Sequence, residues 1–339
     1  MDTGLWRDLG WSLVWGFVFG AGPHSGAARL AVSLVAGTLV AIGVFAALRY
    51  RSRRGGGAPA AEGPLVERAS LTPPVWALLA GCVAIFLPTL VWLFGEYTPG
   101  IWRNGHGLFV PIAIGVLVAA RLREHRGAQE ESSPWGLPLV ALGALLAVVD
   151  AGVRSGYVGT LGLLLALPGV SLLLLGVRRT RRIAFPLALG IFLIPLPEHI
   201  PEPLALPSAT AALAAPLLSA LGFPVQQYLT IFVMREGVFN ISTNCSGVST
   251  LYAAVFFSLL LGARMRSPLR RLALVLCTWP VTVLVNSLRA AFLLICADRF
   301  GIAIVGTPIH GLSGIGTFWG VMLLLFLIAG RPRFWRPEP

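Results

Sequence analysis

The sequence contains no lysine, and all 26 of its basic residues are arginine. The absence of lysine excludes Schiff-base and Ser-Lys chemistry, because both need an amine side chain. Charged residues are scarce at 12%, whereas hydrophobic residues make up 56%. A soluble chain of this length would need more polar surface to cover its core. The composition therefore indicates an integral membrane protein with no sizeable soluble domain.

Several common motifs are also missing. The four cysteines, at 82, 245, 277 and 296, form no C-x-x-C pair, which argues against a disulfide framework or a zinc ribbon. There is no H-E-x-x-H metallopeptidase motif and no G-x-S-x-G elbow of a serine hydrolase. No repeat of fixed period is visible, so a solenoid is disfavoured and an inverted-repeat transporter gains no support. We expect no cofactor and no metal.

Long apolar runs dominate what is present. Each is long enough, or nearly so, to cross a hydrocarbon layer of about 30 Å as a helix. We therefore predict an all-α integral membrane protein, a polytopic bundle of about nine (8–10) transmembrane helices. The predicted spans lie at about 30–49, 75–95, 107–121, 136–152, 158–177, 183–197, 245–263, 272–297 and 311–330. Residues 10–22 are read either as an interfacial helix or as a weak first span.

The arginines alternate between the loops. Nineteen of them follow the first, third, fifth, seventh and last spans, and the other loops hold few. By the positive-inside rule the arginine-rich side is cytoplasmic, which predicts an inner-membrane protein with a cytoplasmic C-terminus. The positive-inside rule thereby explains the net charge of +12, and a nucleic-acid-binding protein is not indicated, because such proteins gather their basic residues on one polar face. The expected partner of the apolar surface of this protein is the lipid bilayer, and no nucleic-acid partner is expected.

The sequence divides into four parts. Residues 1–28 are an N-terminal interfacial or weak membrane segment. Residues 29–182 hold the N-terminal transmembrane helices and a Gly/Ala/Pro-rich cytoplasmic linker at 50–72. Residues 183–330 form the predicted catalytic core, and 331–339 are a cytoplasmic tail. Within the core, β-branched and aromatic residues at 225–242, around the turn at 235–237, predict a short hairpin at the exoplasmic surface.

Three unusual residues are predicted to reach one depth near the outer membrane face. Cys245 opens the span at 245–263, where a cap at Thr243 or Asn244 would leave the thiol in the first helical turn. A helix N-terminus favours a thiolate. Arg289 lies about 25 Å along a span that starts in the cytoplasm. His310 sits just before the last span, and can act as general acid and then as base.

Each of these residues has an alternative interpretation. Cys245 could be a buried small hydrophobe, as we expect for Cys82 and Cys277, and Cys296 competes as nucleophile from a helix C-terminus, where the dipole disfavours a thiolate. Arg289 could snorkel to the interface and His310 could be a solvated loop residue. A serine nucleophile at Ser246 or a metal site is disfavoured by the missing motifs. The metal alternative would use His106, Glu198, His199, Glu202 and His310, but proline within 198–202 breaks helical ligand spacing.

These residues resemble the exosortase/archaeosortase family. The resemblance runs over roughly 180–325, and more faintly from 104. Its motifs are Cys-Ser-Gly at 245–247, Asn286-x-x-Arg289 and His310-x-x-x-Gly314, in that order. The His-Gly element at 106–107 resembles one at the start of an early span in that family. A bare Cys-Ser-Gly is weak evidence, but three motifs in order at the same membrane face form a specific signal.

The resemblance implies a membrane-embedded cysteine protease or transpeptidase with a Cys245, Arg289 and His310 triad. Asn244, Asn286, Ser246 and His106 are candidate supporting residues. The implied substrates are membrane-anchored proteins whose C-terminal signal combines a short motif, a transmembrane helix and an Arg-rich tail, and the family is linked to exopolysaccharide export. The implied reaction passes through a thioester intermediate, which a cell-surface acceptor resolves on the extracytoplasmic side. The alternatives are a non-enzymatic component of polysaccharide or protein export and an intramembrane protease of another class; the oligomeric state is left open.

Overall fold

A computed structural model describes residues 73–98, 105–124, 132–196, 205–223, 225–234, 237–241, 247–263, 265, 267–301, 303–304 and 307–330. These ranges are mostly helical, as the apolar runs predict. The helices are α1 Pro73–Tyr97, α2 Phe109–Arg123, α3 Gly136–Val153, α4 Tyr157–Arg182, α5 Ala184–Ala188, α6 Leu206–Ala220, α7 Val248–Gly262, α8 Pro268–Phe300 and α9 Pro308–Ala329. The predictions for residues 10–22, the span at 30–49 and the linker at 50–72 fall outside the described residues.

Six helical segments of the described chain are long and apolar enough to cross a membrane, namely α1, α2 together with the preceding 3-10 turn Gly105–Leu108, α3, α4, α8 and α9. This supports a membrane protein, but the predicted count of about nine spans is not confirmed. The predicted span at 183–197 forms only α5 and a 3-10 turn, Leu189–Leu193. It ends where Ile194 turns to an extended conformation (ψ 115°), because the following Pro195 disfavours helical backbone at the residue before it. The helix α7 has only 15 residues.

The described residues form two compact units. The first holds α1 as far as Glu96 and the chain from Gly107 to Ile194. Within it, α3 and α4 pack closely along a row of small residues. A Cβ built on Gly143 would come within 2.5 Å of the carbonyl oxygen of Gly162, so only glycine allows this approach. Close packing through small residues is typical of helix pairs in lipid, where hydrophobic burial between helices gives little driving force.

The second unit holds Tyr97–His106 and the chain from Pro195, and α8 packs against α6, α7 and α9 within it. Two local signals start its long helices. Ser267 caps α8 and accepts a hydrogen bond from the Arg270 N–H, and Thr307 caps α9 in the same way for Ile309. Each cap is followed by a proline at the first helical position, where no N–H partner is needed. These caps fix where the helices that carry Arg289 and His310 begin.

The predicted hairpin is present within a three-stranded antiparallel sheet, β1 Gln226–Tyr228, β2 Ile231–Met234 and β3 Gly237–Asn240. The pairing of Val233 with Val238 sets the register of the predicted hairpin, and β1 adds a strand that the sequence pattern did not predict. One face of the sheet is buried against α6 and α8. The core there comprises Ala211, Ala214, Leu218, Phe232, Met234, Ile241, Ala291 and Leu294.

Candidate functional site

Arg289 and His310 meet between α8 and α9. The Nη2 atom of Arg289 lies 3.2 Å from Nε2 of His310 and donates to the carbonyl oxygen of His310 at 3.3 Å. Both side chains are partly buried. The predicted convergence of the guanidinium and the imidazole is therefore present, although 21 residues of sequence separate them.

Ser313 completes this cluster, and the sequence analysis did not single it out. Its hydroxyl accepts a hydrogen bond from Nε of Arg289 at 3.1 Å and donates to the carbonyl oxygen of His310 at 2.8 Å. A Cβ built on Gly314 would lie 3.6 Å from Nη2 of Arg289, at ordinary contact distance. The guanidinium thus rests on the first turns of α9. The sequence did contain a signal for Ser313, because it lies three residues after His310 and residues three apart on a helix share a face.

The contact between Arg289 and His310 fixes how the imidazole is protonated. A guanidinium has only donors, so it can hydrogen-bond to an imidazole nitrogen only where that nitrogen has a lone pair. In this arrangement Nε2 of His310 is the acceptor and Nδ1 carries the proton of the neutral ring. Nε2 can therefore take up a proton only when Nη2 of Arg289 has moved away from it.

Asn286 lies one helical turn before Arg289 and is fully buried, with 0% of its surface exposed. A Cβ built on Gly247 would lie 3.2 Å from Cγ of Asn286 and 3.2 Å from the methyl group of Thr282. Gly247 also has a φ of +86°, a conformation that glycine adopts without strain. The backbone at Gly247 is thus pressed against α8 next to the turn that bears Arg289.

The start of α7 differs from the prediction. Gly247 is its N-cap, and the first helical hydrogen bond runs from the Leu251 N–H to the Gly247 carbonyl at 2.8 Å. The helix therefore begins at Val248, three residues later than predicted, because the left-handed Gly247 interrupts any helix before it. Cys245, Asn244 and Ser246 lie outside the described residues, as does the predicted cap Thr243.

His106 belongs to the same unit and packs against α7. Its ring meets the ring of Tyr252 edge to face, with centroids 4.9 Å apart and an interplanar angle of 70°. His106 is buried, with 8% of its surface exposed. Tyr252 lies one turn into α7, so the pair links the 3-10 turn Gly105–Leu108 to the helix that follows the Cys-Ser-Gly motif. Tyr252 was not singled out by the sequence analysis, because it lies within a mostly apolar run and belongs to no recognised motif.

The other cysteines lie on helices of the described chain. Cys82 is on α1, Cys277 and Cys296 are on α8, and all three are free thiols. Cys296 is buried two turns beyond Arg289. Among the described residues, no group of three or more His, Cys, Asp or Glu side chains could hold a metal ion. Of the residues considered for a metal site, Glu198, His199 and Glu202 lie outside those ranges.

Comparison with known proteins gives one match. The family model for transmembrane exosortases matches residues 101–327, which is more than half of the chain and includes every motif quoted above. No curated protein and no solved structure matches at a significant level. The match begins just before His106 and extends through most of α9.

Proposed function

Because the chain belongs to the transmembrane exosortase family, we propose that it is a cysteine transpeptidase of the membrane. It cleaves the C-terminal sorting signal of exported proteins at the extracytoplasmic surface of the membrane and transfers them to a cell-surface acceptor. Cys245 is the nucleophile, Arg289 stabilises the oxyanion and His310 carries the proton. The observation that supports this best is the 3.2 Å contact between the side chains of Arg289 and His310.

The cost of placing Arg289 in α8 supports a functional role. An arginine within a transmembrane helix costs on the order of 2.5–3.5 kcal/mol even on the more lenient insertion scale. The contacts described for Arg289 are to a serine hydroxyl, an imidazole and a carbonyl, and they orient its guanidinium. An oriented positive charge stabilises an anion that forms during a reaction.

The first half of the reaction uses the lone pair of His310. Nη2 of Arg289 first moves from Nε2 to the substrate carbonyl oxygen, which frees the lone pair of Nε2. Nε2 then takes the proton of the Cys245 thiol, and the thiolate attacks the scissile carbonyl carbon while Nη2 donates to the developing oxyanion. The imidazolium then gives its proton to the leaving amine, the C–N bond breaks, and a thioester remains on Cys245.

The second half runs the same groups in reverse. An acceptor nucleophile, an amine or another group, loses its proton to His310 and attacks the thioester carbonyl. The C–S bond breaks and the thiolate leaves, so that no net proton or electron is lost or gained by the enzyme. Water in place of the acceptor would give hydrolysis. The hydrogen bond from Arg289 to Ser313 persists in both halves and keeps the guanidinium in place while its other end exchanges partners.

Gly247 supports the proposed location of the nucleophile. The contacts of this residue with Asn286 and Thr282 bring the chain two residues after Cys245 against α8. Asn286 is one turn from Arg289 on the same face of that helix, and we assign it a supporting role together with Asn244 and Ser246. His106 contacts α7 through the ring of Tyr252.

The test is co-expression with a reporter protein that ends in a short motif, a transmembrane helix and an Arg-rich tail. The expected result is loss of the tail, seen as a shift in mass, and no processing by Cys245→Ala. Cys296→Ala is the matched control, because it removes a buried thiol from α8 and should leave processing intact. A membrane-impermeant thiol reagent should modify Cys245 and block the reaction.

Other outcomes would contradict the proposal in distinct ways. Normal processing by Cys245→Ala together with failure of Cys296→Ala would make Cys296 the nucleophile. If neither cysteine mattered and processing continued, a protease of another class would be indicated. If no signal-bearing reporter were processed by the unaltered chain, a non-enzymatic export component would be favoured.

A further inference from the structure

The face of the sheet that points away from the core is exposed, and four of its six positions are apolar; the other two are Gln226 and Asn240. Strand residues alternate, so that Phe232 and Met234 are buried while Ile231 and Val233 point outward. The exposed face also carries Tyr228 on β1 and Val238 on β3, at 62% and 63% exposure. Residues 225–234 and 237–241 include no charged side chain. Exposed β-branched and aromatic residues are costly in water, so contact with an apolar partner would stabilise this face.

Leu229 adds an exposed apolar side chain at the tip of the sheet. It joins β1 to β2 with φ +54°, and 84% of its surface is exposed. Left-handed positions in two-residue hairpin turns favour asparagine, aspartate or glycine, which suit both the backbone and water. A leucine here suits neither. The tip is well suited to an apolar medium, however, where a leucine side chain is stabilised by leaving water.

The carbonyl oxygens of both turn residues accept hydrogen bonds from within the sheet. The Gln227 side chain donates to the carbonyl oxygen of Leu229 at 2.8 Å, and the Ile241 N–H donates to the carbonyl oxygen of Thr230 at 2.9 Å. The Thr230 hydroxyl in turn donates to the side-chain oxygen of Asn240 at 2.8 Å. A turn in water needs no such bonds, because water supplies them. A turn in contact with hydrocarbon does, because lipid tails cannot hydrogen-bond.

The position of the sheet along α8 matches the edge of a bilayer. The sheet packs on Ala291 and Leu294, and Ala291 lies about 30 Å along the helix from Arg270 in its first turn. That distance equals the thickness of a hydrocarbon layer. Phe292, at the same level of α8, is half exposed and continues the apolar surface. Nearer the end of the helix, the Arg299 guanidinium stacks on Phe223 at 5.3 Å, as suits the headgroup level.

We propose that the outward face of this sheet and the Leu229 tip rest on the lipid boundary at the C-terminal end of α8. The links of β2 support this orientation, because the sequence enters β2 through the uncharged residues Leu229 and Thr230 and leaves it through the charged pair Arg235-Glu236. The sheet is thus an interfacial anchor for α8. It does not depend on the cysteine chemistry, so either proposal can fail without the other.

Photo-crosslinking in the full-length chain tests this contact. Benzoylphenylalanine is placed at Leu229 or Val238, and the protein is reconstituted into vesicles of phosphatidylethanolamine and phosphatidylglycerol. We expect intact-mass adducts of one phospholipid, in a yield similar to that at Leu276, an exposed position within α8. Glu124, at the end of α2, is the aqueous control and should give none. No adduct at Leu229 and Val238 would overturn the proposal. So would an adduct with a second copy, with a substrate protein or with another segment of this chain.

A second measurement avoids the large probe. Leu229→Asn gives the turn a residue that favours left-handed backbone but removes the apolar side chain. If the tip rests on lipid, this variant should unfold at a lower temperature than the parent in vesicles. A higher unfolding temperature would place the tip in water and overturn the proposal. Gln226→Asn, which changes a polar position on the same face, should leave the temperature nearly unchanged.

Discussion

Arg289 on α8 donates from Nε to the hydroxyl of Ser313 on α9, at 3.1 Å and across 24 residues of sequence. The same hydroxyl donates to the carbonyl oxygen of His310 at 2.8 Å. One serine thus ties the guanidinium to the backbone of the residue whose imidazole the guanidinium also contacts. Rotation of the Arg289 side chain would break both contacts together, so Ser313 sets the direction in which Nη2 points.

Removing the Ser313 hydroxyl should slow the reaction without weakening substrate binding. A hydrogen bond to a charged group contributes about 1.5–3 kcal/mol, so Ser313→Ala should lower kcat by roughly 10- to 100-fold. Ser313→Thr keeps the hydroxyl and should recover most of this loss. The measurement is the rate of reporter processing in vesicles at several substrate levels. A rise in KM with kcat intact would show that Ser313 acts on binding. Ser258→Ala is the control, because that hydroxyl bonds only within α7.

Arg289→Lys should be nearly inactive although the positive charge is kept. Lysine carries one ammonium on a flexible stem and lacks the planar fork that reaches Ser313 and His310 at the same time. Loss of an oriented oxyanion donor typically costs about 10²- to 10³-fold in kcat, and we expect a decrease of that order. Arg299→Lys tests a second arginine of α8, which stacks on Phe223 away from the site. Similar losses in the two variants would mean that replacing any arginine of α8 is harmful, and full activity of Arg289→Lys would show that charge alone is sufficient.

Gly247→Ala should destabilise the protein more than a matched glycine substitution. Left-handed backbone costs an L-residue roughly 1–2 kcal/mol, and at Gly247 the new methyl would also press on Asn286 at 3.2 Å. Gly222 has a similar φ of +80° but open space around it, so Gly222→Ala measures the cost of left-handed backbone without the crowding of the new methyl group. Thermal unfolding in detergent should give the larger decrease in Tm for Gly247→Ala. Equal decreases would show that crowding against α8 contributes nothing.

The contact between His106 and Tyr252 should appear as an energetic coupling. Edge-to-face aromatic pairs contribute about 0.5–1.5 kcal/mol beyond their buried area. A double-mutant cycle with His106→Ala and Tyr252→Ala should therefore show a coupling of that order in the free energy of unfolding. Tyr157→Ala offers the control, because the ring of Tyr157 meets Trp92 instead. Strict additivity of His106→Ala and Tyr252→Ala would contradict a direct contribution of the pair.

Much of the helical architecture could be predicted from local sequence. Apolar runs placed α1, α3, α8 and α9 within a few residues of their ends, because the length of a membrane helix follows from the hydrophobic run that forms it. The family resemblance drawn from three short motifs is confirmed by the family match. The prediction failed where a local backbone effect competes with hydropathy, as at Ile194 before Pro195 and at the left-handed Gly247. Neither effect can be predicted from the hydropathy of the sequence alone.

The sequence by itself determined the class of this protein, the ends of its long helices and the order of its motifs, since each depends on residues that are neighbours in the chain. The tertiary structure alone decided that Arg289 is held by Ser313, that His106 packs on Tyr252 and that the sheet turns Leu229 outward. Such contacts depend on how each helix is rotated toward its partner. That rotation is set by the packing of whole faces, and no local pattern encodes it.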